Sequence, residues 1–335
     1  MTAHAQAPAG RQAIGRILPP VVTGQEVVLA AVIAVLWVLL GLFTPSFLSL
    51  GSIGPLLVSV APVALMGIGM TFVIITAGID VSIAGMIMVC SVVTAKLLVH
   101  TGLSLAPAVL LAMVLGGLLG AVNGLLVAYG RVHPIIITFG TWNLFLYIGY
   151  RVFDSSTVNN IPGTMAFFGR GAAGNTAGVP HSFVIAVLAV VAAWWFLRYT
   201  RAGRNLYAIG GDQEAARLAG IAVRPRLVSV YVVTGLMVGL AACMTIATGT
   251  ATLDQSVGNG KELEVIAAVV IGGTSIMGGR GSVVGTLLGA MLVASVRTGV
   301  IQLGWPSQLA FLFVGVFIIV AVGTDLLRER ARRAA

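Results

Sequence analysis

The 335 residues are 58% hydrophobic and only 9% charged, with a mean hydropathy of +1.05. Soluble domains carry roughly 25% charged residues, so this composition excludes a soluble globular protein and predicts an all-α polytopic membrane protein. The formal net charge of +9 is no nucleic-acid signal, because membrane proteins gather Lys and Arg in their cytoplasmic loops.

In chain order, residues 1–25 hold Arg11 and Arg16 but no apolar core. They read as a cytoplasmic tail before an uncleaved first span, Glu26–Phe43. The next apolar run, Ile53 to about Thr76, contains Pro62 and several glycines and is expected to be bent or interrupted. Val81–Val99 follows after Ala77-Gly78-Ile79-Asp80. Leu105–Tyr129 is dense in glycine (Gly116, Gly117, Gly120, Gly124), the residue that lets helix backbones meet closely in lipid. Ile135–Phe153 comes next, then a polar external stretch, Asp154–Pro180, and the span Phe183–Phe196. Leu227–Thr248, Val265–Met277, Ser282–Val300 and Leu309–Leu327 complete about ten spans. The membrane-spanning body is thus 26–327, and 328–335 is a basic cytoplasmic tail.

Charge supports this count. Starting inside, it places Arg11, Arg16, Arg131, the arginines from Arg198 to Arg226, Arg280 and the basic tail in the cytoplasm. A re-entrant 265–277 would turn the tail outward, so that short run is counted as a crossing. The breaks at Asp80 and at Gly278–Gly281 look loosely alike, each an apolar helix, a glycine-rich polar break and another helix.

The longest charged interruption is Tyr199–Arg226. Its centre predicts a short surface helix: Asp212 is a good N-cap, Glu214 lies in the first turn, and Gly220 suits a left-handed stop followed by Ile221. Ala215, Ala216, Leu218 and Ala219 offer small or apolar groups to a partner. A helix of about 8 residues is marginal alone in water, so something should pack on it. The plainer alternative is a solvated loop that fixes topology through its arginines.

No enzyme constellation is present. His4, His100, His133 and His181 fall at loops or helix ends, and Cys90 and Cys243 lie inside apolar runs, so neither a metal site nor a disulfide is expected. Gly258-Asn259-Gly260-Lys261-Glu262 lacks the Ser or Thr that a phosphate loop needs after its Lys. Asp80 has two readings: an ionisable functional group at membrane depth, or a cap for the helix that begins at Val81, a service Ser82 also offers. Asn123, Thr138, Thr141, Trp142 and Asn143 are candidates for a neutral solute path or for hydrogen bonding between helices.

Five stretches in order carry a resemblance: Ala77–Ser82, Asn123–Val127, Ile137–Thr141, Thr200–Gly220, and Ala267–Ser275 continuing through Gly278–Ser282. With them the chain resembles the permease subunits of bacterial ABC importers for monosaccharides, the group for ribose, xylose, arabinose, galactosides, rhamnose and autoinducer-2. That family usually has two glycines where this chain has Ala77-Gly78. The resemblance implies the ABC importer permease fold and a second permease subunit, identical or a sister chain. It also implies cytoplasmic ATPase subunits that bind ATP and magnesium, and a periplasmic sugar-binding protein. This chain itself would bind no cofactor and hydrolyse nothing. It would sit in the bacterial inner membrane with both termini cytoplasmic. Glu214-Ala215-Ala216 followed by Gly220 looks like the importer loop that docks on the ATPase. Arg201, Gly203 and Arg204 belong to the same loop. The alternatives are an ABC permease for branched-chain amino acids or nucleosides, or a proton-driven carrier relying on Asp80.

Overall fold

The computed structural model describes residues 24–130, 132–154, 156–248 and 251–334. Arg11, Arg16 and Arg131 lie outside them. The fold is almost entirely helical: α1 (Gly24–Phe43), α2 (Leu50–Ile75), α3 (Ile83–Thr101), α4 (Leu105–Gly130), α5 (Pro134–Phe153), α6 (His181–Tyr199), α7 (Arg201–Gly211), α8 (Gln213–Leu218), α9 (Val223–Thr248), α10 (Lys261–Ile271), α11 (Val283–Gln302) and α12 (Leu309–Ala334). Between α5 and α6 lie two short 3-10 turns and the hairpin β1 (Asn175–Thr176) and β2 (Val179–Pro180).

Among the described residues, eight helices are long and apolar enough to cross a membrane: α1 to α6, α9 and α11. The expected ten are not all of that length. α10 has 11 residues, about 16 Å of helix against a hydrocarbon core of about 30 Å. It begins at Lys261 and stops at Ile271, earlier than the apolar run suggests, because Gly273 takes φ +94° and turns the chain. In α12 the apolar part is Leu309–Gly323, and the helix continues through the basic segment that the sequence separates as a tail.

Two other expectations are refined. The run expected to be bent or interrupted is not interrupted: α2 is continuous through Pro55 and Pro62. A proline costs a helix one hydrogen bond, and neighbouring helices in a membrane protein compensate for it. The charged island holds two helices rather than one, since the 11-residue α7 precedes the short α8.

α2 is the central helix, buried nearly continuously from Leu56 to Ile75, with α9, α11, α6 and α10 against it. α4 lies on α9 across paired glycines, Gly116 and Gly120 against Gly235 and Tyr231. The outer helices leave large apolar side chains uncovered, such as Leu118 on α4, Leu188 on α6 and Phe311 on α12, as a lipid-facing rim requires.

Four of the described helices end in the same way, α11 among them, where the Gly304 and Trp305 amides donate to the Ile301 and Val300 carbonyls and Gly304 has φ +71°. After α2, the Ala77 and Gly78 amides donate to the Ile74 and Val73 carbonyls, and Ala77 has φ +61°. After α10, the Gly273 and Thr274 amides donate to Val270 and Val269. After α8, the Gly220 and Ile221 amides donate to Arg217 and Ala216, with Gly220 at φ +80°. Each is a left-handed stop that pairs two carbonyls a helix end would otherwise leave open.

Candidate functional site

The short helix α8 is built as its sequence suggests. Asp212 accepts from the amides of Glu214 and Ala215 through Oδ1, both at 2.9 Å. Arg217 donates to both carboxylate oxygens of Glu214, at 3.0 and 2.5 Å, and these bonds hold the Glu214 carboxyl below its ordinary value of 4.5. Ala216 does not face a partner. It is buried against Ile209, Val223, Leu227 and Ile221 and anchors α8 to the start of α9. The outward face carries Glu214, Ala215, Arg217, Ala219 and Leu218, the last 77% exposed.

α7 leads directly into α8, because Asp212 both ends the first helix and caps the second. Thr200 caps α7 by accepting from the Gly203 amide at 2.9 Å. Gly203 is buried, and a Cβ there would lie 2.3 Å from the Phe196 carbonyl oxygen, so glycine permits the sharp turn from α6. Arg201 and Arg204 are exposed, Arg204 donating to the Tyr199 carbonyl at 3.3 Å.

Of the six path candidates, the structure joins Asp80, Asn123 and Thr138. The Ser82 amide and hydroxyl donate to Asp80 Oδ1 at 3.0 and 2.6 Å, and Asn123 donates to the Ser82 hydroxyl at 2.6 Å. Thr138 donates to the Ile79 carbonyl at 3.0 Å and accepts from the Val81 amide at 3.2 Å. Asp80, Ser82, Asn123 and Thr138 all show 0% exposure, so this network ties the start of α3 to α4 and α5. Asp80 Oδ2, Asn123 Oδ1 and the Tyr231 hydroxyl within the same buried region have no partner. Thr141 donates back to the Thr138 carbonyl. The Trp142 carbonyl oxygen packs on Gly85, and Asn143 is exposed and bonds to the Phe139 carbonyl of its own helix.

Sequence reasoning missed three groups. Tyr231 sits with its hydroxyl against Gly78, Tyr207 donates to the Gly281 carbonyl at 3.0 Å, and Gly210 is buried against Ile75. A tyrosine inside an apolar run was the available signal for Tyr231. The contacts of Tyr207 and Gly210 follow from α7, whose polar composition reads as a loop. At the start of α10, Lys261 and Arg297 face Glu264 at 2.6 and 4.0 Å. The non-helical chain before them enters the fold, since a Cβ at Gly258 would lie 2.6 Å from the Ala84 carbonyl oxygen.

Residues 52–322 match the family described as the branched-chain amino acid transport system / permease component. The chain belongs to that permease family. Among curated relatives it is 35% identical to the ribose import permease of Escherichia coli over 292 residues, 87% of this chain and 90% of the relative. It is 36% identical to the ribose import permease of Bacillus subtilis over 293 residues, 87% of this chain and 89% of the relative. It is 35% identical to the fructose import permease of Rhizobium meliloti over 275 residues, 81% of this chain and 76% of the relative. No solved structure matches. The permease is therefore a multi-pass membrane subunit of a transport system, and the family implies the inner membrane.

Proposed function

We propose that this chain is the membrane-spanning permease subunit of an ATP-driven importer that carries a monosaccharide or a similar small neutral polyol. The observation that carries this reading is the near full-length similarity to import permeases named for ribose and fructose. In this reading two such subunits, or one with a sister chain, form the translocation unit. Cytoplasmic ATPase subunits bind ATP and magnesium and dock on α8. A periplasmic binding protein delivers the sugar, and both termini of the permease lie in the cytoplasm. Leu218 on α8 is 77% exposed and the helix lies outside the candidate spans, which leaves its outer face open to a protein contact.

The description of the matching family names branched-chain amino acids, so leucine is the competitor to test. Vesicles containing the complex are loaded with ATP and the proton gradient is collapsed. Uptake of labelled ribose or fructose, unaffected by excess leucine, supports the proposal. Uptake of leucine in preference to sugars overturns the substrate class, and uptake that stops with the proton gradient overturns the ATP-driven mechanism.

A further inference from the structure

The helix breaks at 76–82 and 272–282 are packed on one another and on α7. The Gly279 amide donates to the Ile75 carbonyl at 2.9 Å. A Cβ at Gly278 would lie 2.8 Å from both the Ala77 Cβ and the Gly210 carbonyl oxygen. One at Gly210 would lie 1.7 Å from the Ile75 carbonyl oxygen and 2.7 Å from the Gly279 nitrogen. Backbone therefore meets backbone from three elements, with the Ala77 methyl beside the contact. Beside this contact Tyr207 donates to the Gly281 carbonyl at 3.0 Å. The N-terminal turn of α1 lies on the same segment: the Gln25 side chain packs on Gly273, and Ser282 donates to Glu26.

We propose that α7 transmits the movement of the coupling helix to the membrane domain, with Gly210 and Tyr207 as the positioning residues that seat it on both helix breaks. This rests on the reading of α8 as the ATPase contact. Gly210 stands two residues before Asp212, the shared cap of α7 and α8, so a displacement of α8 reaches it without an intervening loop. Close-packed backbone has little slack, and coupling between sites travels through packed contacts and hydrogen bonds between rigid elements. From the breaks the displacement passes to the C-terminal ends of α2 and α10 and the starts of α3 and α11. Through Gly78 against Tyr231, and Ser82 against Asn123, it also reaches α9 and α4.

The test uses the permease with its co-purified ATPase in inside-out vesicles. Met277, 68% exposed in the second break, is changed to Cys as a reporter. The two native cysteines, Cys90 and Cys243, are buried and should contribute little background. The labelling rate of Met277→Cys by a maleimide is read with and without Mg-ATP and vanadate. The expected result is a rate change of about tenfold that is lost in Gly210→Ala, while the ATPase still co-purifies and hydrolyses ATP at its basal rate. Tyr207→Phe keeps the ring and removes one hydrogen bond, and is expected to reduce the response partially if Gly210→Ala fails to reach the membrane. An undiminished response in Gly210→Ala, or in Tyr207→Phe where only that variant is obtained, overturns the proposal. So does a nucleotide-insensitive rate with Gly210 and Tyr207 intact, or loss of the ATPase from the Gly210→Ala complex. An unaltered permease that brings no ATPase with it refutes the functional reading instead.

Discussion

A Cβ on Gly116 would lie 2.1 Å from the carbonyl oxygen of Gly235, and one on Gly235 would lie 2.0 Å from that of Gly116. The two backbones touch, and α4 continues along α9 in the same way at Gly120 against Tyr231 and at Gly124 against Val228. In lipid, where apolar side chains gain little by leaving their surroundings, such close approach is what holds helices together. Gly235→Val should cost ~3 kcal/mol and lower the unfolding temperature in detergent. Gly140→Ala, at an exposed site with open space around it, should be neutral or mildly stabilising. Equal unfolding temperatures for the Gly235→Val variant and the unaltered chain would contradict the α4–α9 contact.

Ala77 adopts φ +61° in a stop where the family resemblance leads one to expect glycine. An L-residue in this conformation is strained by roughly 1–2 kcal/mol, partly offset by glycine's greater freedom when unfolded. Ala77→Gly should therefore stabilise the protein by about 1 kcal/mol, read as a raised unfolding temperature. A lowered one would mean that the Ala77 methyl, packed near Gly278, contributes more than the strain costs.

Asp80 accepts two hydrogen bonds from Ser82 through a single oxygen. Asn at this position keeps that acceptor and adds a donor in a region that holds unpartnered acceptors, so Asp80→Asn should retain uptake. Asp80→Ala orphans the buried Ser82 groups and should lose about 1–3 kcal/mol of stability. Loss of transport in a stably folded Asp80→Asn variant would instead support a carrier that moves a proton at this carboxyl.

Removing the α8 cap with Asp212→Ala should cost about 1 kcal/mol of helix stability and weaken ATPase binding without unfolding the permease. The Glu214–Arg217 pair sets a pH expectation. Because the Glu214 carboxyl is held below its usual value, the pair's contribution is fully present above that usual value and is lost only as the pH falls through the lowered one. ATPase binding measured between about pH 6 and 8 should therefore not vary on account of this pair. A midpoint near about pH 6.5, the range of histidine, would assign the contact to another group.

Much of this organisation was legible in the sequence. The glycines of α4, Asp212 as a cap and Gly220 as a stop were readable because each depends on local backbone chemistry. The extent of α10 was not, since hydropathy carries on past Ile271 while the turn at Gly273 depends on φ. α7 was hidden by its polar composition, which resembles a loop until its buried residues Gly203, Leu206, Ile209 and Gly210 meet the rest of the fold. The sequence offers Ala216 to a partner because a small residue on a short helix serves either face. Only the packing against Val223 and Leu227 decides between them. The Asp80–Ser82–Asn123 network joins residues 41 positions apart, beyond the reach of any local pattern.

In the proposed importer, α8 is where the ATPase engages the permease. Leu218→Asp alters its most exposed apolar side chain and leaves the buried Ala216 anchor in place. The permease and this variant are each purified from native membranes in mild detergent, and the accompanying proteins are identified by mass spectrometry. An ATPase subunit is expected with the unaltered chain and should be lost, at equal permease yield, from Leu218→Asp. An ATPase that stays bound to the variant would contradict the assignment of α8, and no ATPase with the unaltered chain would contradict the importer itself.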